Sequence, residues 1–250
     1  MLKAGIACGC LSTQKDITTN DLYHHLLKQK LLSYNIDFET TSYWYDTTTQ
    51  CRERLRLLIK NKNPDVLLYH VRPSPYLRMS KIFIRYHDIN NRLRFKINLT
   101  ADDGGIKERV HQPITIEQQY KKKYLFYVFL REFNFFISFL AGINQQSIKK
   151  QMQLLKEVVE TCERHHVNLI LIGPPSRPRS IMANYLLARF EKTLSGSGIY
   201  NNFQYISCYG SKDESGNALF QEDGMHVSKI GHKRLADLIF PAISKSLEKK

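Results

Sequence analysis

Apolar and polar positions along the 250-residue chain switch repeatedly between a two-residue and a 3.6-residue period, and the switches lay out strands and helices in turn. Leu2 to Cys8 is a short apolar run ending at Gly9. It predicts a buried first strand and then a strand-to-helix turn over Gly9-Cys10-Leu11-Ser12-Thr13. Asp21 to Leu32 has helical spacing, with Leu22, Leu26, Leu27 and Leu31 on one face. Ile36 to Tyr45 alternates and is rich in β-branched and aromatic residues, as a second strand would be. Asp46-Thr47-Thr48-Thr49 has N-capping chemistry, and Arg52 to Lys60 continues as a basic helix. Pro64-Asp65 then opens Val66 to Val71, a continuous apolar run suited to a central parallel strand.

After Arg72-Pro73-Ser74-Pro75 the pattern weakens. Residues 76–100 mix aromatic, basic and apolar positions, and residues 101–120 read as an exposed loop. Tyr124 to Ile143 is apolar and aromatic but interrupted by Arg131, Glu132 and Asn134, so it is not a clean membrane span. With Lys121-Lys122-Lys123 ahead of it, it suits either a membrane interface or a helix packed in the core or under a lid. Regularity returns with a helix from about Gln145 to His165, carrying Leu154, Leu155 and Val158 inward. Val167 to Ile172 is a buried strand stopped by Gly173-Pro174-Pro175. A helix through Ile181 to Leu194, a short strand at Phe203 to Ile206 and a last helix from Ile230 follow. That last helix carries Ile230, Leu235, Leu238 and Ile239 at helical spacing.

Strands alternating with helices predict an α/β fold, a three-layer α/β/α sandwich with a mainly parallel central sheet of flavodoxin-like type. The length fits one domain spanning 1–250, with a helical insertion or lid at about 76–143. In such sheets function gathers in the loops beyond the carboxyl ends of the strands. Four unusual segments fall there: residues 9–13, 45–49, 70–75 and 222–226.

Composition changes this picture in two ways. Hydrophobic and charged fractions of 42% and 24% are ordinary for a soluble globular protein, but a formal charge of +14 is not. That surplus favours an anionic partner, and an anionic membrane surface remains a candidate alongside a solvated basic face. Nucleic acid is disfavoured, because no recognised motif and no aromatic-interleaved basic stripe accompanies the charge. Five scattered cysteines (Cys8, Cys10, Cys51, Cys162, Cys208) argue for reduced thiols in a cytoplasmic setting, peripheral to a membrane if the basic surface engages one. Too few apolar residues precede Cys8 for a signal peptide. No second Cys or His pair completes a metal site with Cys8 and Cys10, so neither metal nor cofactor is expected. His24-His25 and His165-His166 lack a matching carboxylate and read as surface or helix-end residues.

The segment with the clearest chemistry is Glu222-Asp223-Gly224-Met225-His226-Val227-Ser228. A carboxylate three residues before a histidine on a turn can accept a hydrogen bond from Nδ1–H, leaving Nε2 free as a base. The same segment also fits a capping aspartate and a surface histidine at a helix start. A hydroxyl at a tight turn after the first strand, Ser12, is the matching nucleophile, with Cys10 as the rival because a thiolate needs less activation. Ser12 as a helix cap and Cys10 as a small buried filler are the structural alternatives.

This arrangement resembles the SGNH/GDSL hydrolase superfamily. Asp223-Gly224-Met225-His226 matches its C-terminal DxxH block in sequence and position, and Pro64 to Val71 looks like the strand leading into its third block. Asp46-Thr47-Thr48 resembles what often follows the second-block glycine. The resemblance implies an ester hydrolase or acyltransferase working through Ser12, His226 and Asp223 on a small-molecule or glycan ester. Three blocks depart from the family. Gly9-Cys10-Leu11-Ser12 stands for Gly-Asp-Ser with the serine one place late, Tyr45 stands for the second-block glycine, and Arg72-Pro73-Ser74-Pro75 replaces Gly-x-Asn-Asp. Arg72, or more weakly Ser74, would then donate to the oxyanion in place of the asparagine. His70 would border the site if it shares a direction with Arg72, as alternation along the strand supports. Arg78, Arg177 and Arg179 would add a basic rim suited to an anionic or carbohydrate-linked substrate. The departures also fit a catalytically inactive relative that binds an anionic ligand or partner in the same pocket.

Overall fold

In a computed structural model the described residues are 1–8, 17–44, 48–71, 83–87, 93–97, 121–177, 180–196, 203–212, 219–220 and 227–247, some by backbone alone. Five strands form the main sheet: β1 (Leu2–Cys8), β2 (Phe38–Trp44), β3 (Val66–His70), β6 (Asn168–Ile172) and β7 (Gln204–Ile206). Their order is β2-β1-β3-β6-β7, and every pairing is parallel. Between β3 and β6 lies a separate antiparallel pair, β4 (Phe83–His87) with β5 (Leu93–Ile97), in the stretch where the sequence pattern weakens. The helices are α1 (Tyr23–Leu32), α2 (Thr48–Lys62), α3 (Lys121–Leu140), α4 (Ile143–Arg164), α5 (Ile181–Gly196) and α6 (Lys229–Leu247).

Parallel strands need a crossover between neighbours, so helices must cover both faces and the central strands become apolar on both sides. β3 shows this directly. Val66 and Leu68 join Ile6, Ile170, Leu27 and Ile239 under α1 and α6, while Leu67, Tyr69 and Val71 join Leu58, Val158, Leu171 and Phe190 under α2, α4 and α5. The chain is therefore the three-layer α/β/α sandwich that the strand and helix alternation predicts. Leu154, Leu155 and Val158 of α4 face inward as their spacing requires. In α6, Leu235 and Ile239 are buried, whereas Ile230 is exposed in the first turn.

Polar contacts hold the layers in place. The Arg52 guanidinium makes two bonds to the Glu157 carboxylate, at 2.6 and 2.8 Å, joining α2 to α4. Lys30 pairs with Asp237 at 2.9 Å between α1 and α6. Glu132 of α3 accepts from Ser180 Oγ at 2.8 Å and from the Met182 N–H at 2.7 Å, so a carboxylate from one helix caps the N-terminus of another.

Gly231 is required by close approach. Ser228 Oγ caps α6 by accepting from the Gly231 N–H at 3.0 Å, and the Ser228 N–H donates to the Leu219 carbonyl at 3.0 Å. A Cβ on Gly231 would run into that carbonyl and come within 2.6 Å of Val227 Cγ1. Gly231→Ala is expected to destabilise the protein by about 1–3 kcal/mol through overpacking. Differential scanning calorimetry should show a fall in Tm of several degrees, roughly 2–4 °C per kcal/mol for a domain of this size. An unchanged Tm would mean that the 219–231 contact is looser than described.

Candidate functional site

The sheet register decides which loops meet. Cys8 pairs with Trp44, Ala7 with Tyr69, and His70 with Ile172, so β1, β2, β3 and β6 end at nearly the same level. The chain runs from β1 outward to β2 and then back across to β3, which makes the β1/β3 boundary the topological switch point. In open parallel sheets a ligand crevice lies beyond the carboxyl ends of the strands at such a boundary. Residues 9–13 leave β1 and residues 72–75 follow β3 at this boundary. Cys10, Ser12, Tyr45, Arg72, Ser74, Asp223 and His226 themselves lie outside the described residues, as do Arg78 and Arg179.

The loop carrying Asp223 and His226 is described at both ends. Phe220 and Val227, on either side of it in the chain, form an antiparallel bridge immediately before the Ser228 cap of α6. Asp21, in the 3₁₀ turn Thr19–Asp21, ties the start of α6 to the segment before α1. Lys229 Nζ lies 2.9 Å from its carboxylate and Thr18 Oγ1 donates to it at 2.7 Å. The Lys229 contact, then the Thr18 hydrogen bond, holds the Asp21 carboxyl below its ordinary pKa.

His70 is described in full. Its position on β3 aims it with Val66 and Leu68 into the α1/α6 layer, and only 4% of it is exposed. Its Nε2 lies 2.8 Å from Tyr23 Oη, and the rings meet edge to face. It therefore sits beneath the carboxyl edge, against α1, rather than on an open surface of the described residues. The Tyr23 backbone N–H in turn donates to His232 Nδ1 at 3.3 Å, and the two rings stack. An accepting Nδ1 means that neutral His232 carries its proton on Nε2. His24 packs edge-on to Tyr23 and against His25. Of the surface or helix-end expectation, His24 keeps the helix end, in the first turn of α1, but is buried rather than at the surface; His165 and His166 are exposed as expected.

Sequence reasoning missed Tyr23 and His232, although the signal was present. Tyr23 precedes Leu27 and Leu31 by four and eight residues, and His232 precedes Leu235 and Ile239 by three and seven. Both therefore lie on the buried faces of their helices. Burial is the main cause holding these imidazoles neutral: His70 is pushed down to about 3, His24 to about 4 and His232 to about 4, the last opposed by the Asp21 charge.

At the neighbouring strand ends, Gly173 follows β6, and a side chain there would collide with the Tyr205 hydroxyl, which donates to Glu191. Asn184 holds the Gly173–Arg177 turn by accepting from the Arg177 N–H and donating to its carbonyl, both at 2.8 Å. Arg177 is half-buried rather than a free surface cation. Cys162 and Cys208 are buried thiols, pushed up to about 12 by burial and so unsuited as nucleophiles. Among the described residues no three His, Cys, Asp or Glu side chains gather as a metal site, and no helix is long and apolar enough to cross a membrane.

No protein-family model matches the chain, and no curated protein matches it. Solved structures do. The esterase EstA from Pseudoalteromonas sp., in a structure inhibited by monoethylphosphonate, matches with TM-score 0.57 at 14% identity over 98% of each chain. A protein assigned to the G-D-S-L lipolytic family, from Desulfitobacterium hafniense DCB-2, matches with TM-score 0.56 at 13% identity over 97% of this chain and 99% of that one. The chain has the SGNH/GDSL-hydrolase fold. A further structure with this fold is Axe2, an acetyl-xylooligosaccharide esterase from Geobacillus, with TM-score 0.58 at 9% identity over 97% of this chain and 94% of that one. The match spans the β2-β1-β3-β6-β7 sheet and the terminal helix α6, which follows the stretch holding Asp223 and His226 in the chain.

The buried imidazoles give a pH prediction. Their folded pKa values lie below the unfolded value near 6.5, so above about pH 6.5 both states are neutral and nothing is lost. As pH falls below about 6.5 the unfolded chain takes up protons that the folded one refuses, and stability drops until the folded values near 3–4 are reached. Each ring costs about 2 kcal/mol between pH 7 and pH 5. Urea unfolding of His70→Gln, which keeps a polar partner for Tyr23, should show this group's acid loss reduced by about a third. An identical pH dependence in the two proteins would contradict a neutral, buried His70.

Proposed function

We propose that the chain is an ester hydrolase or acyltransferase acting at the carboxyl edge of its sheet, with Ser12 as nucleophile, His226 as base and Asp223 orienting it. What supports the reading is the level register of β1, β2 and β3, whose carboxyl ends lead in the chain to the segments holding residues 12, 45 and 72, in a fold shared with known esterases. The DxxH spacing at the bridged 220–227 loop adds to it.

In this reading His226 Nε2 removes the Ser12 Oγ proton as Oγ attacks the ester carbonyl, and Asp223 holds the imidazolium through Nδ1–H. A backbone N–H beside Ser12 and the Arg72 guanidinium stabilise the tetrahedral oxyanion, with Ser74 and Tyr45 at the same mouth. The alcohol leaves with the proton from His226. Water or a sugar hydroxyl then takes the acyl group by the reverse sequence. The substrate class is an acylated small molecule or glycan, for which Axe2, an acetyl-xylooligosaccharide esterase, is a precedent in another protein. The excess of 37 basic over 23 acidic residues suits an anionic substrate. His70, with Tyr23 and His232, would support the site from beneath rather than touch the ester.

Turnover of p-nitrophenyl acetate and of acetylated xylo-oligosaccharides tests the reading. Ser12→Ala and His226→Ala are each expected to lower kcat roughly a thousand-fold or more, and Arg72→Ala roughly a hundred-fold. Retained activity in Ser12→Ala that disappears in Cys10→Ala would transfer the chemistry to the thiol. Folded wild type without turnover on either ester, binding an anionic ligand instead, would favour the inactive, ligand-binding relative.

A further inference from the structure

Helix α3 has two unlike faces. Phe135 and Ser138 are buried, Phe139 packs toward α5, and Glu132 caps that helix. On the other side, Phe129, Phe133, Phe136 and Leu140 follow one another at intervals of four, three and four residues. At 100° per residue they fall in one strip about 60° wide. All four are exposed, Phe129 and Leu140 by 64%. The edge-to-face contact of Phe139, beside this strip, with Tyr185 joins α3 to the start of α5, where Ile181 is 82% exposed and Tyr185 is also exposed. Arg189 lies over both the Phe139 and Tyr185 rings. Single exposed apolar residues are ordinary, but six large ones on two joined helices form a patch that calls for a partner.

The charge distribution identifies the partner. Lys121, Lys122 and Lys123 make up the first turn of α3, on a chain of net charge +14. The acidic residue of α3, Glu132, is committed to the α5 cap. A second copy of the chain would meet the same positive charge, whereas an anionic lipid surface complements it. A helix with aromatic residues along one side and lysines at its end, too polar to cross a bilayer, lies along the headgroup boundary.

We propose that α3 and the first turn of α5 dock the protein on an anionic lipid bilayer surface. The Phe129–Leu140 strip seats among the upper acyl carbons and the three lysines contact the headgroups. α5 follows the turn leaving the carboxyl end of β6, so the docking face adjoins the sheet edge that holds the proposed site. The docking does not depend on the hydrolase reading.

Flotation of the full chain with phosphatidylcholine vesicles, with or without phosphatidylglycerol, tests it. Wild type is expected to float with the mixed vesicles and to be released by salt. Phe133→Ser with Phe136→Ser should weaken binding roughly ten-fold or more. Lys121→Gln, Lys122→Gln and Lys123→Gln together should weaken it roughly a hundred-fold. The substituted phenylalanines are 42% and 45% exposed, and unchanged far-ultraviolet dichroism and Tm in the variant check that folding is retained. Folded wild type that stays unbound, or variants that float equally well, would overturn the proposal. So would a lipid-free dimer lost in the phenylalanine variant without flotation of the wild type. Turnover of a soluble ester by the same variants reads the proposed chemistry separately.

Discussion

The structure depends on one constraint: the parallel register that places β1 between β2 and β3. Ala7 pairs with Tyr43 on one side and Tyr69 on the other, so three strand ends are fixed at one height by backbone hydrogen bonds. Because both faces of such a sheet are covered by helices, only its edges remain for chemistry. The reversal of direction between β1 and β3 marks the carboxyl edge there as the switch point where ligands bind in such sheets. The apolar runs Leu2–Cys8 and Val66–His70 supply the two strands on either side of that boundary.

Below the edge the core is not wholly apolar. Tyr23, His70 and His232 form a buried polar island between β3, α1 and α6, linked by a side-chain bond and a backbone bond. Such a network is costly if incomplete and restrictive if satisfied, because each partner fixes the geometry of the next. Here it locks the end of β3 to the starts of α1 and α6. The start of α6 follows the stretch holding Asp223 and His226 by only a few residues in the chain.

The fold is legible in the sequence because apolar runs and helical spacings carry it: Leu2–Cys8 reads to the residue, and the Val66 run and the α4 face read within one or two residues. The β4/β5 pair is harder to read: Leu93-Arg94-Phe95-Lys96-Ile97 alternates apolar and basic residues as a half-buried strand does, but its partner Phe83–His87 does not, so no hairpin pattern stands out. His24 misleads because a histidine pair suggests solvent, while its spacing to Leu27 and Leu31 places it inside. Tyr23 and His232 escape notice because a polar residue on an apolar face gives no signal of its partner, which lies about 50 to 210 residues away in the chain. The DxxH block is legible as chemistry because its two groups are local. The nucleophile and oxyanion donors are less so, because their blocks depart from the family pattern at Ser12, Tyr45 and Arg72–Pro75.

The central claim is that the loops after β1 and before α6 bring a hydroxyl and an imidazole together at the switch point. A crystal structure of the protein treated with an alkyl phosphonate tests it most directly. The account predicts a phosphorus–oxygen bond to Ser12 Oγ with His226 Nε2 about 3 Å from the adduct. Phosphorus bonded elsewhere, or His226 turned to solvent with Ser12 unmodified in well-folded protein, would contradict it.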